Sequence, residues 1–251
     1  MTKDELQTVL DEAYLAFAKP NFQDADPIQI PHRFSKKEDI EIAGFIAATI
    51  AWGQRITIIN NANRFIEMMD DAPFDFIVNH TPSDRNKYKG FVHRTFNEVD
   101  AMYFLERLQR LYKEGFGLEQ AFNTGHDTKA RISNFHNTFF DQTHPARTTK
   151  HVSNPKNGSS AKRLNMFLRW MVRPASEGVD FGVWKAISPS ELMIPLDVHS
   201  GNVARKLRLL ERKQNDWKAV EALTNNLKAF DSNDPVKYDL ALFGMGVSGV
   251  I

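Results

Sequence analysis

Two residues that begin predicted helices carry side chains able to do covalent chemistry. Lys162 follows a polar loop in "NGSSAKRLNMFLRWMV", and Asp197 follows a short apolar run in "IPLDVHSGNVARKL". The helix dipole disfavours a cation at the start of a helix, and the neutral amine that this position favours is a nucleophile. Asp197 stands where a carboxylate can accept hydrogen bonds from the free amides of a first helical turn. The sequence therefore offers one candidate nucleophile and one candidate carboxylate.

Both residues also have structural interpretations that need no chemistry. Aspartate is among the favoured N-cap residues, so Asp197 by itself predicts a helix cap. A lysine at a helix start is more often a solvated charge than a perturbed one, which leaves Lys162 open as well. The two interpretations of Asp197 are compatible, because a cap holds the carboxylate rigid and a catalytic group needs that rigidity.

Other common catalytic patterns are missing from the sequence. The chain has no cysteine, which excludes disulfides, thiolate zinc sites, cysteine nucleophiles and cysteine-held iron–sulfur clusters. Its eight histidines form no HExxH spacing, and Asp197 with His199 would supply at most two metal ligands. The chain contains no Walker loop, GxGxxG or GxSxG motif. We therefore expect neither a metal nor a cofactor.

Positive charge is concentrated on both sides of Asp197, although the net charge of the chain is only +1. Residues 147–173 contain seven Lys and Arg and no acid, and residues 198–218 contain six bases against two acids, a balance of +4. Residues 1–80 contain seven bases against 13 acids, a balance of −6. This distribution is typical of a protein that meets a polyanion at one place, and it favours a nucleic acid over a merely solvated basic surface.

The elements that must position these residues are helices. Apolar residues recur at three- and four-residue spacing and alternating strand patterns are scarce, so we predict an all-α fold. Residues 1–251 are expected to form a single helical domain. No apolar run approaches the roughly 18 residues that cross a bilayer, and the first ten residues are too polar for a signal peptide, so we expect a cytoplasmic protein. The predicted helices are Asp4–Ala18, Lys36–Met69, Glu98–Lys113, Leu118–Phe122, Asp127–Phe140, Lys162–Val172, Val198–Leu210, Trp217–Phe230 and Val236–Gly244.

The longest irregular stretch, residues 147–161, comes directly before Lys162. Its sequence, "RTTKHVSNPKNGSSA", suits either a linker or a loop that grips phosphate through exposed backbone amides. On a helical wheel of the following helix, Lys162, Arg169 and Arg173 share the side opposite the apolar residues. The spacing therefore predicts a basic stripe along this helix.

The segments around Lys162 and Asp197 resemble the core of the helix-hairpin-helix DNA glycosylases. In that superfamily a Gly-containing hairpin leads into the helix with the catalytic lysine, and a V-D-x-H element supplies the catalytic aspartate. "FIAATIAWGQRITIINNANRF" is similar to the helix pair whose turn carries a Gln or Asn that reaches into the duplex, and "DPVKYDLALFGMGV" is similar to the final helix. The nearest pattern is that of the 8-oxoguanine glycosylases of the archaeal type. The whole chain also resembles a bacterial family of proteins of unknown function.

The resemblance implies roles for residues of this chain. Lys162 and Asp197 would be catalytic, and Gln54 would lie on the turn that enters the duplex. Their separation of 35 positions (197 − 162) is wider than in the commonest members, so residues 174–193 would be an insertion beside the site. The pattern has two glycines in the hairpin, where this chain has Gly158 and Ser160. The implied DNA-binding residues are Gln54, Arg55, Lys150, Lys156, Gly158, Ser159, Ser160, Arg163, Arg169, His199 and Arg205.

The resemblance also implies a fold and a function. The fold would have two helical lobes with a cleft between them, and the N- and C-terminal helices would share one lobe, roughly 40–145 and 236–251, with 150–230 completing the glycosylase core. Lys150, Lys156, Arg163, Arg169 and Arg205 would form one continuous positive face, with Gln54 at its edge. The function would be base-excision repair on damaged double-stranded DNA, by a monomer with no iron–sulfur cluster, associated with the bacterial nucleoid.

The implied activity is that of an N-glycosylase with AP-lyase activity, acting on an oxidised purine such as 8-oxoguanine. Two alternatives from other classes stay open. The first is a non-catalytic DNA-binding protein on the same fold, and the second is a helical protein with an unrelated ligand. Salt-dependent duplex binding separates the two DNA-binding hypotheses from the last one.

Overall fold

The computed structural model describes residues 1–249 of the chain, and these residues form helices and one very short hairpin. The all-α prediction is confirmed. The helices are α1 (Lys3–Phe17), α2 (Lys37–Thr49), α3 (Arg55–Glu67), α4 (Pro73–Asn79), α5 (Glu98–Lys113), α6 (Gly117–Phe122), α7 (Thr128–Phe139), α8 (Lys162–Val172), α9 (Val198–Lys206), α10 (Trp217–Lys228) and α11 (Tyr238–Ser248). Strands β1 (Val92–His93) and β2 (Phe96–Asn97) pair antiparallel between α4 and α5.

The helices differ from the predicted segments where glycine and proline act. The predicted segment 36–69 is two helices, because the chain turns at Gly53, whose φ of 109° suits glycine. Pro73 begins α4 instead of ending a helix, since proline at the first helical position loses no intrahelical hydrogen bond. Helix α9 ends at Lys206, two residues before Arg208 takes a left-handed conformation.

The chain divides into two compact units. We call Met1–Phe22 together with the chain from Asn154 the site unit, and Gln23–Ser153 the aromatic unit. In the site unit α11 packs against α1 and α9, whereas the resemblance groups residues 236–251 with 40–145. The single domain over residues 1–251 stays a prediction.

Helix α2 is the centre of the aromatic unit. All of its residues from Ile40 to Thr49 are buried, as expected for a helix that is apolar nearly all round. Phe45 lies against the rings of Phe104, Phe135 and Phe139 at centroid distances of 5.8, 5.6 and 5.7 Å. Rings at these distances and angles add attraction beyond their buried area. The core of this unit is therefore a cluster of phenylalanines contributed by α2, α5 and α7.

Two glycines allow α11 to approach its neighbours closely in the site unit. A Cβ on Gly244 would overlap the ring of Phe17 in α1, so only glycine fits there. A Cβ on Gly246 would come within 3.1 Å of the Cβ and the carbonyl oxygen of His199 in α9. Helix α11 thus contacts both α1 and the first turn of α9.

Helix α8 buries two arginines, and a set of carboxylates neutralises them. Arg169 Nε lies 3.2 Å from Asp180 Oδ1, and another guanidinium nitrogen of Arg169 bonds to Asp239. Arg173 bonds to the other oxygen of Asp180 and donates twice to Asp234 at 3.0 Å. Both arginine side chains are only 4% exposed, and the side chain of Asp180 is fully buried. We call these five residues the buried charge network.

The stretch 174–193 is folded against the end of α8. Phe181 N donates to Trp170 O at 2.8 Å, and Trp184 N donates to Met171 O at 2.9 Å. These bonds satisfy carbonyls of the last helical turn, which have no partner within the helix. The stretch meets α8 at the end opposite Lys162, about 15 Å along the axis at 1.5 Å per residue. It also supplies Asp180, so its observed role is structural support of α8.

None of the described helices has the length and apolarity needed to cross a bilayer. Among residues 1–249 no group of three or more His, Asp or Glu side chains has an arrangement that could hold a metal ion.

We predict that Asp180→Asn destabilises the protein by about 3–5 kcal/mol. The amide can accept from only one of the two buried arginines and turns a donor towards the other, which leaves a buried charge without its partner. Urea denaturation followed by circular dichroism measures the loss. Glu177→Gln is the matched control, because this carboxylate lies in the same stretch but is only half-buried, and it should change stability by less than about 0.5 kcal/mol. Equal effects of the two variants would show that the network does not hold this unit together.

Candidate functional site

The hairpin before α8 is built from a short 3-10 helix, Pro155–Asn157, and a left-handed glycine. Asn154 Oδ1 accepts from Lys156 N at 3.0 Å and so starts the turn. Gly158 has a φ of 83°, which glycine adopts without steric cost. Its carbonyl oxygen accepts from Trp217 N at 3.0 Å, and this bond fixes the hairpin to the start of α10.

Ser160 does not stand at a position that needs glycine. Between 158 and 161 the residues with positive φ are Gly158 and Ala161, and Ala161 has a φ of 48°. Ser159 Oγ accepts from Ala161 N at 3.1 Å, and Ser160 O accepts from the side-chain amide of Asn165 at 3.0 Å. The serine at 160 therefore leaves the hairpin intact, and the strained residue is the alanine that precedes Lys162.

Asp197 is the N-cap of α9, as its position in the sequence predicts. Its Oδ1 accepts from Ser200 N at 2.9 Å and from Ser200 Oγ at 3.1 Å, and the same hydroxyl accepts from Asp197 N at 3.1 Å. The carbonyl oxygen of Asp197 accepts from the side-chain amide of Asn215 at 3.0 Å. Four contacts thus fix the backbone and the first carboxylate oxygen of Asp197.

The second oxygen of Asp197 lies beside Lys162. The distance from Lys162 Nζ to Asp197 Oδ2 is 3.7 Å, and the two side chains are 31% and 17% exposed. This separation is long for a hydrogen bond but within the range of an ion pair. The structure therefore brings the two predicted catalytic residues together at the starts of α8 and α9, where solvent reaches both.

The carboxyl of Asp239, in the first turn of α11, lies behind this pair. Burial raises the pKa of Asp239 to about 6, the cation of Arg169 opposes the rise, and the negative charge of Asp197 adds to it. Lys162 also acts on Asp239, with a smaller lowering effect. The pair of Lys162 and Asp197 therefore interacts electrostatically with the buried charge network.

Arg169 is not a surface residue, and the prediction that it binds DNA is wrong. Only 3% of Arg169 is exposed, and its guanidinium is held by Asp180 and Asp239. Arg173, which the wheel places on the same basic stripe, is equally buried. A helical wheel shows which residues share a side but not what packs against it, and here the partners come from positions 11 and 70 residues further along the chain.

The other predicted residues of the site unit reach solvent to different degrees. Lys156 and Gly158 are exposed, and His199 is exposed with its ring edge-on to Phe243 at 6.0 Å. Arg163 is half-buried, and burial lowers its pKa to about 10, which keeps it charged at neutral pH. Arg205 donates to the carbonyl oxygens of residues 212 and 213 and to an amide oxygen, so its guanidinium supports a turn.

The remaining predicted residues lie in the aromatic unit. Gln54 is the N-cap of α3, and its side chain makes no capping hydrogen bond. Gln54, Arg55 and Lys150 are all exposed. The predicted positive face would join Lys150 to Lys156, Arg163 and Arg205 of the site unit. That face stays a prediction, and Arg169 is no longer part of it.

Sequence reasoning missed three residues that shape the site. Ser200 completes the cap of Asp197, Asn215 holds its carbonyl, and Asp239 sets the charge behind it. Ser200 could have been found, because it stands three positions after an N-cap, where a reciprocal capping residue belongs. Asn215 and Asp239 come from distant segments, and no local pattern points to them.

We predict that Asp197→Ala lowers the free energy of unfolding by about 1 kcal/mol, while Asp197→Asn leaves it nearly unchanged. Alanine removes the acceptor for the amide of Ser200, whereas asparagine keeps an oxygen there. The urea midpoint of each variant measures the difference. A similar loss in both variants would mean that the charge facing Lys162, and not the cap, stabilises this corner.

Comparison with protein families gives one match: the family model described as "Protein of unknown function (DUF2400)" matches residues 26–248. A comparison with curated proteins and a comparison with solved structures give no match.

Proposed function

The chain belongs to the family described as a protein of unknown function (DUF2400), and we propose that it is a DNA N-glycosylase with AP-lyase activity. Its substrate is a damaged base in double-stranded DNA, an oxidised purine such as 8-oxoguanine. The proposal includes a helix-hairpin-helix glycosylase-like fold. One observation carries it: a lysine amine and an aspartate carboxylate, each at a helix start, lie 3.7 Å apart and partly exposed.

The reaction gives each of the two residues a definite role. The neutral amine of Lys162 attacks C1′ of the damaged nucleotide, the C1′–N bond breaks, and its electron pair leaves with the base, which takes up a proton. Positive charge develops on the sugar as this bond breaks, and the carboxylate of Asp197 stabilises that charge. The nitrogen then loses one proton and its electron pair forms a C=N bond as the C1′–O4′ bond of the sugar ring breaks, and O4′ takes up a proton, which leaves a protonated imine. Removal of a C2′ proton then expels the 3′ phosphate, which nicks the strand.

The geometry of Asp197 suits this role because its two oxygens do different work. Oδ1 is held by Ser200, so the carboxylate is fixed in place before any substrate arrives. Oδ2 takes no part in the cap and faces Lys162 Nζ. Oδ2 is therefore the oxygen that can face the positive charge developing on the sugar.

The surface residues support a duplex as the substrate. The damaged nucleotide must flip out of the duplex before its C1′ can be attacked. Flipping leaves a gap in the base stack, and a side chain of the protein has to fill that gap. The exposed Gln54 at the turn between α2 and α3 is our candidate for that filling residue. The exposed Lys156 in the hairpin is a candidate contact to phosphate.

The same contact also favours a second candidate function, a DNA-binding protein without catalysis. An ion pair between the first residues of α8 and α9 stabilises the unit whether or not it reacts. Covalent trapping separates the two functions, because only a reacting lysine forms an imine.

We predict that the wild-type protein is trapped on a duplex with a single lesion by borohydride and that Lys162→Gln abolishes the trapping. Borohydride reduces the imine to an amine that joins Nζ permanently to C1′, and glutamine has no nucleophilic nitrogen. Electrophoresis of the adduct on a panel of lesion duplexes is the measurement. Lys206→Gln is the matched control, since it removes an exposed lysine at the other end of α9 and should leave trapping intact. Trapping of Lys162→Gln would refute the glycosylase and lyase mechanism. Failure of the wild-type protein to form an adduct with any lesion duplex would refute it as well.

We predict that Asp197→Asn lowers the rate of base excision by about 10²–10³-fold. The variant keeps the cap but loses the negative charge that stabilises the sugar cation. Single-turnover release of the damaged base measures the rate, and duplex binding measured alongside should stay near wild type. Asp127→Asn makes the same change at the N-cap of α7 and should keep full activity. An excision rate for Asp197→Asn within a few-fold of wild type would exclude a charge-stabilising role.

A further inference from the structure

The β-hairpin of the aromatic unit has an arginine where its turn favours glycine. Strands β1 and β2 are joined by the two residues Arg94 and Thr95. Arg94 has a φ of 54°, and Thr95 is not among the described residues with positive φ. Two-residue turns with a positive φ at the first central position prefer glycine there, because a side chain in that conformation is strained. The chain therefore holds a long cationic side chain in a strained position.

The side chain of Arg94 lies over the turn that carries Gln54. A Cβ on Gly53 would come within 2.9 Å of Arg94 Cδ and 3.2 Å of Arg94 Nη1. Gly53 itself has a φ of 109°, a conformation that favours glycine. Since Gly53 and Gln54 are consecutive, the guanidinium of Arg94 lies near the turn that carries Gln54.

His93 ties the hairpin to the same turn. Its Nε2 is 3.1 Å from the carbonyl oxygen of Trp52, and its Nδ1 is 3.1 Å from the side-chain nitrogen of Asn61. That nitrogen also donates to Thr57 O at 3.0 Å, which fixes it as the amide NH2. His93 therefore donates from Nε2 and accepts at Nδ1, which is the neutral form of the ring. The two hydrogen bonds of His93, to Trp52 and Asn61, thus position the backbone of the adjacent Arg94.

A second arginine reaches the tip of the hairpin from the 3-10 helix Ala146–His151. Arg147 Nη2 donates to Thr95 O at 2.8 Å. Lys150 stands three residues after Arg147, and residues with this spacing share one side of a 3-10 helix. We call Gln54, Arg55, Arg94, Arg147 and Lys150 the hairpin patch.

The hairpin patch is positive and exposed. All five of its residues are exposed, and four of them are cations. One carboxylate that approaches it, with Asp100 Oδ2 3.4 Å from Arg147 Nη2, belongs to a fully buried side chain. Its oxygens also accept from the hydroxyl of Thr148 and the backbone of Asn97, so Asp100 anchors Arg147 without offering negative charge to solvent.

We propose that the hairpin patch binds backbone phosphates of duplex DNA and that Arg94 is a phosphate contact within it. The proposal rests on the DNA-binding part of the proposed function and adds Arg94 and Arg147 to it. An arginine guanidinium fits phosphate with paired donors, and the fixed hairpin holds this one near the turn that carries Gln54. Glycine would relieve the backbone strain at this turn, and phosphate binding gives the arginine a role that glycine cannot fill.

Arg94→Gly tests the proposal, because glycine relieves the strained turn while it removes the cation. The expected result is an unchanged or higher melting temperature together with weaker binding of an undamaged duplex. Loss of one phosphate contact should reduce the slope of log K against log salt by about one and lower the affinity about five- to tenfold at 0.1 M salt. Fluorescence anisotropy across a salt series gives both quantities. Arg94→Lys keeps the charge and should restore most of the slope.

Lys113→Gln is the matched control. Lys113 is an exposed cation of the same unit, and it ends α5 about 22 Å along the helix axis from the residue that follows the hairpin. It should leave the slope unchanged. A slope for Arg94→Gly equal to that of the control overturns the proposal while the glycosylase function stands. Absence of any salt-dependent duplex binding overturns both. A reduced slope in a protein that borohydride never traps supports the hairpin patch and refutes the glycosylase.

Discussion

The geometry of the candidate site depends on the neutralisation of two arginines inside the site unit. Arg169 in α8 and Arg173, the C-cap of α8, have almost no exposure, so each needs a carboxylate in contact to offset the loss of hydration. Asp180 serves both arginines, and Asp239 ties Arg169 to the first turn of α11. Helix α11 in turn packs against the start of α9. The distance between a lysine at the start of α8 and an aspartate at the start of α9 is therefore set by charges buried deeper in the unit.

The buried charge network shows that the basic residues around Lys162 do not all lie on the protein surface. Residues 147–173 contain seven bases and no acid, and the sequence alone treats all of them as one surface. Two of the seven, Arg169 and Arg173, are used inside the protein. Arg147 and Lys150 belong to the aromatic unit, whereas Lys156 and Lys162 belong to the hairpin of the site unit. The run therefore consists of a buried part and two exposed parts with different neighbours.

Local rules predicted what local interactions determine. The helix starts at Lys162 and Val198 and the cap at Asp197 follow from propensity and capping patterns. The sequence could not show that Asp180 and Asp239 neutralise Arg169, because these partners come from separate segments and only packing brings them together. Within the stretch 174–193, which was expected beside Lys162, the backbone amides of Phe181 and Trp184 bond to the last turn of α8. The sequence patterns thus predicted where these helices begin, but they did not predict which residues pack against the sides of the helices.

Backbone strain separates the two candidate functional places from the rest of the described chain. Five described residues other than glycine have positive φ: Asp70, Asp71, Arg94, Ala161 and Arg208. Aspartate tolerates this conformation. Arg208 ends α9 in a Schellman motif, in which Leu209 N donates to Ala204 O at 2.8 Å and Arg208 N donates to Arg205 O at 3.1 Å. No capping motif accounts for Ala161, and the two-residue hairpin turn requires this conformation at Arg94 but favours glycine there. Ala161 precedes Lys162, and Arg94 lies over the turn of Gln54. Strain that local chemistry does not explain marks places where a fixed side chain is more useful than a relaxed turn, and both places hold a residue to which we assign contact with DNA.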